Sequence, residues 1–182
     1  MKNAKIATLL SAVFAAGTVG TSAWAGTNTG SLPVTASVAQ SCVVSATSAV
    51  AFGAYDPVGA NAAAALAGTG SISLKCTKGS TSITADLSAG ANAVGNQRKM
   101  LGTTNSDLLN YSITQPATAS PWTSCAGSTV WGSTVGGSVY TPTGVTWTAA
   151  AAQAFTVCGS VPAAQNVSAD SYTDTITVTV NF

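Results

Sequence analysis

An all-β sandwich or barrel is the fold this sequence predicts, and three observations predict it. The body is rich in Thr, Val, Ser and Gly, its apolar residues alternate with polar ones in short runs, and turn-forming Gly, Asn, Asp and Pro separate those runs. At 182 residues the chain has the length of one domain with a sizeable core, and no internal repeat divides it.

Residues 1–25 have the three parts of a secretory signal. Lys2 and Lys5 form the basic end, residues 6–19 the apolar stretch, and Ala23-Trp24-Ala25 a small-x-small cleavage site. The apolar stretch is too short to span a bilayer, so cleavage after Ala25 is expected. Residues 30–38 then read as a strand, with Leu32, Val34, Ala36 and Val38 on one side of the pleat and Ser31, Pro33, Thr35 and Ser37 on the other. Pro33 has no backbone N–H, which assigns the strand to an edge or an inserted position. Lying ahead of the first cysteine, this strand either folds back on its own domain or completes the sheet of another copy.

Residues 42–44 open the body, and residues 50–52 continue the strand up to Gly53 and the Asp56-Pro57 turn. The alanine-rich residues 60–67 suit a short helix by propensity, and their flanking glycines suit a compact loop equally. Residues 70–76 and 81–87 alternate cleanly and predict strands, followed by a loop over residues 88–95. Residues 98–101 and 108–113 predict the next strands, with Tyr111 and Ile113 on one face. Residues 116–127 are an irregular connection carrying Pro121, Trp122 and Cys125. Residues 145–147 are a weak strand and residues 155–158 a better one. At the end of the chain Tyr172, Asp174, Ile176, Val178, Val180 and Phe182 alternate with four threonines and Asn181, which predicts one long two-faced strand.

Without residues 1–25 the chain keeps four basic residues against five aspartates, a net charge of −1. Nucleic acid and anionic membrane both call for clustered Lys and Arg, so neither is an expected partner. Charged residues make up 6% of the sequence and hydrophobic ones 46%, a composition suited to an exported protein that packs against neighbours. Four cysteines on a chain with an export signal predict two disulfides. Of the three pairings of Cys42, Cys76, Cys125 and Cys158, the expected one joins Cys42 to Cys76 and Cys125 to Cys158, because each bridge closes a moderate loop. Zinc is not expected, since the sequence has no CxxC spacing and no histidine.

The absence of histidine also removes the commonest general base and any Ser-His or Cys-His nucleophile. Asp170 and Asp174 could be drawn as a glycosidase-like carboxylate pair, but solvated polar residues account for them better. Trp122, Trp131 and Trp147 could form a sugar platform or belong to the core. No phosphate-binding loop is present. Asn110-Tyr111-Ser112 and Asn166-Val167-Ser168 match the glycosylation tripeptide and carry no function in this reading. No enzyme activity and no cofactor is expected.

Cys42, Phe52-Gly53-x-Tyr55-Asp56, residues 70–76, Arg98-x-Met100, Leu109-x-Tyr111 and Trp131-Gly132 come in a fixed order. Residues 159–165, Gly-Ser-Val-Pro-Ala-Ala-Gln, and the ending from Ser171-Tyr172 to Phe182 complete it. This ordered set resembles the spore coat protein U domain family, and within it the major rod subunits of Csu-type archaic chaperone-usher pili. The resemblance spans nearly all of residues 26–182. It implies an incomplete immunoglobulin-like β-sandwich completed by donor-strand exchange. The expected organisation is a signal peptide at 1–25, a donor strand and linker at 26–40 and a pilin domain at 41–182.

The resemblance further implies that Leu32, Val34, Ala36 and Val38 fill the groove of a neighbouring subunit. Ile176, Val178, Val180 and Phe182 would face a periplasmic chaperone before assembly, with the terminal carboxylate held by basic residues of that chaperone. The implied partners are identical subunits in a homopolymer, the chaperone, an outer-membrane usher, and tip and adaptor subunits. The expected location is a cell-surface pilus reached through the periplasm, supporting attachment and biofilm formation. The alternative is a non-polymerising secreted spore-coat or matrix protein.

Overall fold

The computed structural model describes residues 25–182; the expected signal segment lies outside the described residues except for Ala25. The chain divides after Ala36 into two units. In the first, residues 25–36 form no strand and their side chains are exposed. The alternation of residues 30–38 is therefore not realised as paired structure, for a strand gains its ladder bonds only against a partner edge.

In the second unit eight strands form two antiparallel sheets. They are β1 (Cys42–Ala51), β2 (Leu66–Cys76), β3 (Thr84–Leu87), β4 (Arg98–Gly102), β5 (Leu108–Thr114), β6 (Gln153–Val161), β7 (Tyr172–Thr173) and β8 (Val178–Asn181). One sheet has the order β1-β2-β6-β5-β4-β7, and the other pairs β3 with β8. A 3-10 turn at Ser133–Val135 is the only helical piece among the described residues. The architecture is an all-β, immunoglobulin-like sandwich in which a strand is missing beside β8.

Alternation builds the core. Ile72, Leu74 and Cys76 of β2, Leu109, Tyr111 and Ile113 of β5, and Phe155 and Val157 of β6 are buried, while their neighbours in sequence are more exposed, except Cys158, which is buried in its disulfide with Cys125. Ala85 and Leu87 of β3 meet them from the other sheet. One end of this core is aromatic. Trp122, Tyr140 and Trp147 surround Phe155 at centroid distances of 5.4, 5.7 and 6.2 Å, and Trp131 lies 5.0 Å from Tyr140. Three of these rings have partnered polar atoms: Trp131 Nε1 donates to Ala85 O, the Tyr140 hydroxyl to Ala117 O, and Trp122 Nε1 to Thr118 O.

Four expectations about elements need correction. Residues 60–64 take the turns and bend of the loop alternative and form no helix, and β2 begins at Leu66, four residues before the expected start, because Leu66 to Thr69 pair with β6. The strand expected over 81–87 begins at Thr84, since Ser82 has a left-handed φ of 59°. Residues 145–147 form no strand: Trp147 is buried by packing on Phe155, which needs no ladder. Finally, the long C-terminal strand is two short ones. Tyr172–Thr173 pairs with β4 in the first sheet and Val178–Asn181 with β3 in the second, so the chain changes sheets between them.

Candidate functional site

Where the sandwich is open, two strand edges face each other without a partner. β1 pairs only with β2, and β8 pairs only with β3. The gap between them is a cavity of about 430 Å³ bordered by residues 47–50 of β1 and by Ile176 and Val178, and floored by Ile72, Leu87, Ile113 and Val157. A second cavity of about 730 Å³ shares Val50, Phe52, Met100 and Tyr172 with the first and extends it towards Tyr55, Leu66 and Val161. The two adjoin along those four shared residues, the first lined mainly by apolar side chains and the second including Ser168, Asp170 and Ser171.

The C-terminal stretch records the missing cover in its burial. Along residues 172–180 the even-numbered residues are half-buried and the odd-numbered ones exposed, whereas the inner residues of β5 are fully buried. A strand with two packed sheets around it loses its inner face from water, and this one does not. Along β1 the side chains of residues 43–45 and 47–49 are exposed in the same way. The register of β1 against β2 also slips twice, between Val44 and Ala46 and between Ser48 and Ala51, which twists this edge.

Phe52 stands at the junction of the two cavities because the backbone beneath it is bare. Gly68 and Gly159 lie opposite each other on β2 and β6. A Cβ on Gly68 would come within 2.7 Å of the Phe52 ring, and one on Gly159 within 2.7 Å of the ring and 2.6 Å of Val50. The ring then meets Tyr111 edge-on at 6.1 Å.

One polar cluster borders the groove. Asp174 accepts N–H bonds from Ala91 at 2.8 Å and Asn92 at 3.3 Å, and the Tyr111 hydroxyl donates to its Oδ2 at 2.6 Å. Burial, and then the Asp174 carboxylate, pushes the Tyr111 phenol well above its ordinary range, so the hydroxyl stays a donor. Gly90, at φ +91°, leaves room for that carboxylate, since a Cβ there would meet Asp174 at 2.0 Å. Arg98 is buried, and burial lowers its pKa. Its Nε and Nη2 donate to Ser88 O at 3.1 and 2.7 Å, and Nη2 also to Leu87 O at 3.0 Å, which fixes the end of β3 against β4. These bonds hold the frame on which β8 and residues 174–177 are hung.

Leu32, Val34 and Val38 are 86%, 89% and 83% exposed. Ala36 is exposed as well. Ile176 and Val178 line the groove, Val180 packs at the margin of the core, and Phe182 is 56% exposed. Cys42 is bonded to Cys76 and Cys125 to Cys158. Asp170 and Asp174 serve separate loops: Asp170 accepts from the Thr103 hydroxyl and the N–H groups of Thr104 and Asn105. Trp122, Trp131 and Trp147 are buried, so they form no surface platform. The groove residues Phe52, Met100, Tyr111 and Tyr172 stand out in the sequence only as strand or family-motif positions, and Leu87 only as the end of a strand, none of them as groove lining. Their signal is the inward phase of each strand, which marks core and groove floor alike.

The chain matches the family model described as the Spore Coat Protein U domain over residues 28–179. The match begins ahead of β1, so it takes in the exposed segment as well as the sandwich. Among solved structures the chain is similar to a chain of the CsuC-CsuE chaperone-tip adhesion subunit pre-assembly complex, from the archaic chaperone-usher Csu pili of Acinetobacter baumannii. The two are 22% identical with a TM-score of 0.50, over 80% of this chain and 40% of that one. The chain thus spans well under half of that chain's length, and the likeness is one of fold. No curated protein matches the chain.

Proposed function

The chain belongs to the Spore Coat Protein U domain family, and from that premise we propose that it is a structural subunit of an archaic chaperone-usher pilus. Each subunit inserts its N-terminal segment, within residues 26–40, into the groove of the body, residues 41–182, of the next identical subunit. The observation that carries this reading is the pairing of a surplus with a deficit. The chain has an exposed alternating segment with no sheet to join, and its sandwich has an apolar groove with two unpaired edges.

The magnitudes suit this exchange. Ten residues, 29–38, span about 33 Å when extended, the length of a whole sandwich. Burying Leu32, Val34 and Val38 contributes about 1.5 to 3 kcal/mol each, with ladder bonds to β1 and β8 in addition. In this account residues 1–25 direct export, and a periplasmic chaperone covers Ile176, Val178, Val180 and Phe182 until an outer-membrane usher passes the subunit into the fibre. The position is that of the rod, joined to adaptor and tip subunits, and the fibre serves attachment and biofilm formation.

The test is a pair of substitutions in the full chain, Val34→Asp and Val38→Asp. Each places a carboxylate where only an apolar groove would receive it. Both variants are expected to accumulate as folded subunits and to fail to form the heat-dissociable ladder of multiples on gels that the unaltered chain gives. Undiminished ladders from both would remove the proposal and bring forward the non-polymerising coat or matrix reading.

A further inference from the structure

The segment's own groove is its nearest competitor. Only residues 39–41 separate Val38 from Cys42, and three residues are enough for a hairpin that would lay the segment along the free edge of β1. A segment tethered by so short a flexible linker would see its own groove at an effective concentration of about millimolar, far above that of a second copy at micromolar concentration. A freely jointed linker would therefore give closed monomers and no fibre.

Residues 39–41 are not free. Thr77 N donates to Ser41 O at 2.9 Å, and Ser41 N donates to Thr77 Oγ1 at 3.1 Å. That hydroxyl has a choice of acceptors, Ser41 O at 3.2 Å and Ala39 O at 3.4 Å. Gln40 grips the same loop in both directions, Nε2 donating to Thr81 O at 3.1 Å and Oε1 accepting from Thr81 N at 3.3 Å. Thr77 follows Cys76, which is both the register partner of Cys42 and its disulfide partner. The bonds thus continue the β1–β2 pairing past the bridge, on the edge of β1 that faces away from the groove. A hairpin into the groove would have to break them.

We propose that Gln40 and Thr77 are positioning residues that decide which groove the segment fills. By holding residues 39–41 on the β2 side of β1, they deny it its own groove and reserve it for a second copy. This rests on the donor-strand reading above and adds to it the choice between self and neighbour.

The experiment uses the full chain refolded from denaturant over a range of concentrations, with a labelled peptide of residues 29–38 as a probe for an open groove. The unaltered chain is expected to polymerise with a strong dependence on concentration and to take up the peptide. Gln40→Ala combined with Thr77→Val is expected to raise the fraction of stable, peptide-refusing monomer about tenfold at micromolar concentration, independently of dilution. Thr77→Ser, which keeps the hydroxyl, is expected to behave as the unaltered chain. Gln40 is exposed, so Gln40→Ala alone tests the idea without threatening the fold, with a smaller shift in the same direction. If the double and single variants polymerise and bind peptide as the unaltered chain does, the positioning role is wrong and the donor-strand reading stands. If the unaltered chain neither polymerises nor takes the peptide, both fall.

Discussion

Gly159 shows how much a single missing Cβ can decide. The ring of Phe52 lies over it and over Gly68, and a methyl group at 159 would meet that ring and Val50 at less than 3 Å. Gly159→Ala should push Phe52 into the groove at the point where its two cavities join. Overpacking of this kind costs about 1 to 3 kcal/mol. The expected result is a lower unfolding midpoint together with weaker uptake of a peptide of residues 29–38. A lower midpoint with unchanged uptake would mean that Phe52 does not border the occupied part of the groove. Asp170 offers a test by pH. The N–H groups of Thr104 and Asn105 hold its carboxyl well below the usual carboxylate range. A depressed folded pKa gives stability that is present above the unfolded value of about 3.9 and lost as pH falls below it. Thermal unfolding of Asp170→Asn should therefore show a deficit from the unaltered chain that is constant between about pH 5 and 7 and shrinks below about pH 4. A deficit that grows on acidification would contradict this assignment.

Among the elements, β5 and β6 were legible because Leu109, Tyr111, Ile113, Phe155 and Val157 declare a period of two. The first turn of the chain into β2 was not, since Leu66-Ala67-Gly68-Thr69 has one β-branched residue and no apolar alternation, and Gly68 is there because the Phe52 ring lies against it. The break in the C-terminal strand was hidden for a different reason. Alternation from Tyr172 to Phe182 continues through it, because the same phase serves both sheets, and only the partners of Asp174 reveal the crossing. The groove is harder still to read, as it is defined by a strand that is absent, and its floor comes from many separate elements. At this scale the Cys42–Cys76 bridge ties the first residue of β1 to the last of β2, beside the point where the N-terminal segment leaves. Replacing both cysteines by alanine should cost about 2 to 5 kcal/mol in non-reducing denaturant unfolding. A loss below about 1 kcal/mol would mean that the ladder and the bonds of residues 39–41 hold this corner unaided.

Taken as a whole molecule, the sandwich is unevenly finished. Its Trp122, Trp131, Tyr140, Trp147 and Phe155 end is buried and closed, while the side between β1 and β8 leaves half-buried Val50, Phe52, Met100, Ile176 and Val178 without cover. Under strand donation residues 29–38 of another copy are the missing cover. The most direct measurement moves that segment to the other end of the chain. Residues 26–38 are deleted, and a copy of residues 29–38 is joined after Phe182 by a short flexible linker, so that it can lie beside β8. Size exclusion and thermal unfolding then compare this chain with one carrying the deletion alone. Strand donation requires the rejoined chain to be a soluble monomer whose unfolding midpoint is higher by about 10 °C or more, the shift expected from several kcal/mol in a domain of this size. Equal midpoints, with the deleted chain itself a stable monomer, would mean that the fold is already complete and would contradict strand donation.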